Sequence, residues 1–111
     1  MVENLSTSPA VVQGTRGSGA GEKVLERECV VCNPRGVHGR VATALARVAL
    51  EREVTVHLIR PDQEEVDCGS ILDVLSLALV TGTRVTVRVE GNDAASALVE
   101  VVKILEQEED P

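Results

Sequence analysis

The sequence predicts an α+β domain, a βαββαβα open-faced sandwich in which a small antiparallel four-stranded sheet is covered on one face by three helices. Three observations predict it. Apolar residues alternate along the chain between strand-like and helix-like spacing. The best strand segments are apolar on one face and polar on the other, as in an antiparallel sheet with one wet face. The helix-like segments each carry one apolar stripe, suited to covering the dry face. At 111 residues the chain amounts to one domain, large enough to fold without disulfide or metal staples.

Residues 1–21, MVENLSTSPAVVQGTRGSGAG, lack sustained apolar periodicity and are rich in Ser, Gly, Thr and Ala. They read as a flexible extension outside the fold. The domain proper is expected over residues 22–106. KVLERECVV opens it as a strand with imperfect alternation. From Gly39 to Leu50, residues Val41, Leu45 and Val48 form an apolar helix stripe, with Arg40, Thr43 and Arg47 on another face. EVTVHLIR sets Val54, Val56 and Leu58 against Thr55, His57 and Ile59. Pro61-Asp62 then supplies a turn before a short strand around Val66, which makes a hairpin.

GSILDVLSLALVTG reads as a short helix opened by Ser70, with Asp73 three residues on in a pattern close to a capping box, and ended by Gly82. RVTVRVE is the cleanest strand, with Val85, Val87 and Val89 inward and Arg84, Thr86 and Arg88 outward. A last helix opens at Asn92 or Asp93 and carries the stripe Ala94, Leu98, Val101 and Leu105. Residues 107–111 form an acidic tail whose carboxylates oppose the dipole at a helix C-terminus, so the end is expected to fray.

Composition removes several function classes. The chain is 43% hydrophobic yet has no Phe, Trp or Tyr, so its core is Val, Leu, Ile and Ala and no aromatic ring is available to stack on bases. A formal net charge of −7 argues against a nucleic-acid partner, whose phosphates are held by clustered Lys and Arg. Three cysteines do not make a disulfide framework, and the N-terminal region lacks the apolar core of a signal peptide, so a cytoplasmic location without membrane insertion is expected. Cys29 and Cys32 have C-x-x-C spacing but sit in a strand-like run, where residues three apart point to opposite faces. No second pair completes a metal site, Cys68 reads as a packed residue, and neither metal nor cofactor is expected.

The chemistry gathers in NPRGVHGRVATAL, residues 33–45. His38 falls at a strand-to-helix junction, where backbone N–H groups lack intrahelical partners and attract anions. An imidazole there feels the positive end of the helix dipole, which favours its neutral, nucleophilic form. Arg35, Arg40 and Arg47 gather basic charge around it, and guanidinium forks match phosphate oxygens. On these residues alone the pattern suggests a phosphate site without fixing its chemistry, and a structural cap with a solvated basic face stays open. His57, on the strand face opposite Val54, Val56 and Leu58, reads as a surface sheet residue.

NPRGVHGRVATALARVA resembles the active-site segment of the HPr family, the histidine-containing phosphocarriers of the bacterial phosphoenolpyruvate:sugar phosphotransferase system, usually G-[LIV]-H-A-R-P-A. GSILDVLSLALVTGTRVTV resembles the family's second signature, and EGNDAASALVEVVKIL its closing G-x-D-x-x-x-A-L helix. The likeness spans about residues 23–106 with the motifs in family order. It implies that Enzyme I passes a phosphoryl group to Nδ1 of His38, that Arg40 accompanies the phosphohistidine, and that enzyme IIA proteins receive the group for sugar uptake. The carrier itself transforms no substrate.

By the same resemblance Ser70 matches a serine phosphorylated in many relatives by an ATP-dependent HPr kinase, while Ser70 followed by Asp73 is also what a plain helix cap requires. Leu72, Leu75 and Leu79 read as contact or core residues, Leu72 and Leu75 in the region of the apolar patch that meets Enzyme I in the family, and a monomer is implied. Two residues depart from the pattern. Gly39 stands where Ala is usual, and Val41 replaces Pro and restores a backbone N–H, so Gly39 and Val41 are expected to offer amides to a phosphoryl group. Two alternatives accompany the carrier: a regulatory paralogue signalling carbon or energy status, and a non-covalent anion-binding α/β module.

Overall fold

The computed structural model describes residues 10, 11 and 23–109. Its elements in chain order are β1 (Ala10–Val11), β2 (Lys23–Val30), α1 (Gly39–Arg52), β3 (Thr55–Ile59), β4 (Glu65–Asp67), α2 (Ile71–Ser76), β5 (Arg84–Gly91) and α3 (Ala94–Glu106). The four strands β2 to β5 and three helices are the expected βαββαβα sandwich, with every strand pairing antiparallel. The sheet order is β1-β2-β5-β3-β4. The last strand therefore lies in the middle, pairing with β2 from Lys23↔Gly91 to Val30↔Arg84 and with β3 from Thr55↔Glu90 to Ile59↔Thr86. This position accounts for its clean alternation, since Val85, Val87 and Val89 all enter the core. Each such valine contributes about 1.5–3 kcal/mol on burial.

Two sequence expectations are corrected. Residues 10 and 11, assigned to an extension outside the fold, form a fifth strand on the outer edge of β2, with Ala10 opposite Glu26 and Val11 opposite Leu25. A bare strand edge exposes unpaired N–H and C=O groups, and even a two-residue partner satisfies some of them. The rest of the expected extension and residues 110–111 of the acidic tail lie outside the described residues.

The second correction concerns α2, which ends at Ser76 instead of continuing to Gly82. Ala78 turns to φ 52°, and the Arg60 guanidinium takes the Leu77 carbonyl at 2.6 Å. Two residues further on, the Leu79 carbonyl accepts the Val37 N–H at 2.9 Å. The apolar run therefore leaves the helix because distant groups bond its carbonyls, while Leu77 and Leu79 still enter the core. The imperfect alternation of β2 also has a cause. Leu25, Arg27 and Cys29 share one face, and half-buried Arg27 sits at its rim beside Val102 and Glu106 of α3.

Candidate functional site

The His38 loop is set by backbone contacts at both of its ends. Val31 N–H bonds the Thr83 carbonyl and Cys32 N–H bonds Leu105, which carry the chain from β2 to the end of α3. A turn follows, closed by Gly36 N–H to the Asn33 carbonyl at 2.9 Å. Gly36 has φ 70°, and a Cβ there would lie 2.4 Å from the Leu79 oxygen. Only glycine permits this approach, and it seats the loop on the segment after α2.

His38 is the N-cap of α1, with extended backbone at φ −103° and ψ −170°. Its Nδ1 accepts the Arg40 backbone N–H at 3.3 Å, a geometry that suits the tautomer with its proton on Nε2. The first intrahelical bond is Ala42 N–H to the His38 carbonyl, so the amides of Gly39, Arg40 and Val41 belong to the first turn and have no helical acceptor. They lie at the positive end of a helix of 14 residues. The ring is half-buried, whereas Gly39 and Arg40 are exposed.

Arg40 and Arg47 line one shallow depression of about 330 Å³ on α1, together with Gly39, Thr43 and Ala44. Arg35 is exposed on the turn before His38. Val41 is fully buried, so its side chain anchors the first turn while its N–H stays on the helix end. Gly39 has nothing within 4 Å of an added Cβ, so space does not require glycine there.

Ser70 caps α2, its Oγ accepting the Asp73 N–H at 3.3 Å. Leu72 is 78% exposed, Leu75 is partly buried and Leu79 belongs to the core, so of these leucines Leu72 is the one presented outward. His57 lies on the open face of the sheet, as expected, with Nε2 3.9 Å from Glu65, which also pairs with Arg88. Cys29 is buried on the core face and Cys32 lies past the strand end, half-buried. Burial pushes the Cys29 and Cys68 thiols up to about 12, leaving little thiolate at neutral pH. Among the described residues no group of His, Cys, Asp and Glu is arranged for a metal, and no helix is long and apolar enough to cross a membrane.

Asn33 is a residue that the sequence reading missed. It is the one buried polar residue of the described chain and donates from Nδ2 to the carbonyls of Ile104 at 2.8 Å and Gln107 at 3.4 Å. Its position in a turn-forming Asn-Pro pair was visible, but its acceptors lie 71 and 74 residues away.

Comparison with known proteins places this geometry. The family model described as the PTS HPr component phosphorylation site matches residues 25–107. The chain belongs to the HPr family. The phosphocarrier protein NPr of Shewanella violacea is 34% identical over 74 residues, covering 67% of this chain and 80% of that relative. The phosphocarrier protein HPr of Mycoplasma pneumoniae is 30% identical over 80 residues, 72% of this chain and 91% of the relative. The crystal structure of HPr from Bacillus anthracis superimposes with a TM-score of 0.69 at 26% identity, over 74% of this chain and 96% of that one. The HPr fold, with its open sheet and three helices, is thus the fold of this chain, and its family is that of the phosphotransferase-system phosphocarriers.

Proposed function

We propose that this HPr-family protein accepts a phosphoryl group on His38 Nδ1 from phosphorylated Enzyme I and passes it to enzyme IIA proteins. The observation that carries the reading is the His38 Nδ1 lone pair at the start of α1, facing the Arg40 N–H. As nitrogen attacks phosphorus, the bond to the donor's leaving group breaks in line and the charge passes to the three phosphoryl oxygens. The Arg40 N–H gives up the ring nitrogen and turns to an oxygen, with the amides of Gly39 and Val41 beside it. The guanidinium of Arg40 offsets the added charge, and Arg35 and Arg47 extend the basic field toward the incoming partner.

Exposed Leu72, with Leu75 behind it, supplies the apolar contact for Enzyme I. Ser70, the N-cap of α2 two residues before Leu72, is the regulatory site in this reading. A phosphate there would sit at a helix start, where its charge is tolerated, and would place a dianion beside the apolar contact, weakening partner docking. The departures at Gly39 and Val41, together with the likeness to an NPr phosphocarrier, favour a second reading in which the phosphorylation state signals carbon or energy status.

The test is incubation with phosphoenolpyruvate and Enzyme I, followed by measurement of acid-labile phosphate in the protein and in His38→Ala. Label on His38 that moves to an enzyme IIA is the expected result. Label that moves to no enzyme IIA supports the signalling reading, and absence of label leaves only non-covalent anion binding at the helix start.

A further inference from the structure

We infer that Asn33 is a positioning residue for His38, setting the ring's geometry by locking the active-site turn onto the C-terminal end of α3. The last carbonyls of a helix lack intrahelical donors, and at α3 the donors come from the segment between β2 and the turn. Cys32 N–H takes Leu105 at 2.8 Å, and the Asn33 amide takes Ile104 and Gln107. The backbone carbonyl of Asn33 in turn receives the Gly36 N–H and the Thr81 hydroxyl. One residue thus joins the end of α3, the glycine turn and the segment after α2, five positions before the ring.

The amide's other end shows that this arrangement is selective. Among the described residues no donor reaches the buried Asn33 Oδ1. A buried acceptor left unpaired is a cost, and an apolar residue of similar size would avoid it. What the side chain supplies there is the pair of donors on Nδ2, which face two carbonyls. An aspartate of the same shape would present oxygen to oxygen there and force the turn away from α3.

The link to the ring runs through backbone. Gly36, whose N–H bonds Asn33, rests against the Leu79 carbonyl, and Val37 N–H bonds that same oxygen. His38 follows directly. A shift of the turn moves Nδ1 relative to the Arg40 N–H, and a displacement of about 1 Å in a reacting group costs as much as a hundredfold in rate.

The rate readout rests on the phosphocarrier reading, whereas a magnetic-resonance readout does not. Asn33→Asp and Thr81→Val, the second removing only the hydroxyl on the Asn33 carbonyl, are compared with the unaltered protein below their melting temperatures. Expected are displaced Arg40 amide and His38 imidazole nitrogen signals in both. At saturating partner, transfer slows about tenfold or more in Asn33→Asp and less in Thr81→Val, with the partner's KM unchanged. A lowered melting temperature with unchanged His38 and Arg40 signals and unchanged transfer would overturn the proposal, because Asn33 would then be a stability element alone. If Asn33→Asp does not fold, Thr81→Val decides by the same signals. If the unaltered protein takes no label from Enzyme I, the phosphocarrier reading fails and the signals alone decide the role of Asn33.

Discussion

His38 Nδ1 accepts the Arg40 N–H at 3.3 Å, so one nitrogen is both the cap of α1 and the proposed phosphoryl acceptor. The two roles are separable by substitution. His38→Ser keeps an N-cap oxygen and is expected to melt within a few degrees of the unaltered protein, whereas His38→Ala loses about 1 kcal/mol. Both variants lose all acid-labile phosphate. Thermal melts beside a phosphorylation assay check the pair of outcomes.

Val41→Pro removes one first-turn amide while keeping a φ that a helix start accepts. A hydrogen bond to a charged oxygen is worth about 1.5–3 kcal/mol, so phosphohistidine lifetime should shorten by roughly ten- to a hundredfold. The rate of phosphate loss at neutral pH measures this, with a melt to account for the lost valine packing. An unchanged lifetime would show that the Val41 amide has no part in holding phosphate.

Gly36 and Gly39 stand three residues apart and should respond in opposite ways. Gly36→Ala drives a Cβ into the Leu79 oxygen at a positive φ, and the strain costs at least about 1–3 kcal/mol. Gly39→Ala meets no neighbour within 4 Å and replaces the poorest non-proline helix former, so it stabilises by up to about 1 kcal/mol. Denaturant midpoints of the two variants decide this.

Acid acts through Asp62, whose carboxyl the Arg60 guanidinium holds at about 2, below its ordinary 3.8. The folded state therefore binds this proton less readily than the unfolded state. The resulting stabilisation is fully present above about pH 4 and is lost as pH falls toward about 2. Asp62 is exposed and Arg60 only half-buried, so solvent screens the pair and the effect is small. Asp62→Asn should be slightly less stable than the unaltered protein at pH 7, and the difference should vanish near pH 2, as read from melts across that range. Arg60→Ala should cost more, because it also frees the Leu77 carbonyl that Arg60 takes at 2.6 Å.

The legible part of the site was the part that local pattern controls. His38 at the helix start followed from turn residues giving way to the stripe Val41, Leu45 and Val48, and the three residues are buried as a stripe requires. Ser70 followed from Asp73, and its Oγ accepts the Asp73 N–H. Both depend on neighbours within four residues, and so does the period-two alternation that marked β3 and β5.

By itself, then, the sequence determined the order of elements, the one-sided sheet, the cap histidine with its arginine, and the likeness to HPr. Tertiary structure alone decided that β5 lies at the centre, that Ala10–Val11 closes on β2, that α2 stops at Ser76, and that Asn33 is buried. The reason is the same in each case. A backbone N–H or C=O must find a partner, and where that partner is Arg60, Val37 or an amide 71 residues distant, no local period or propensity records it.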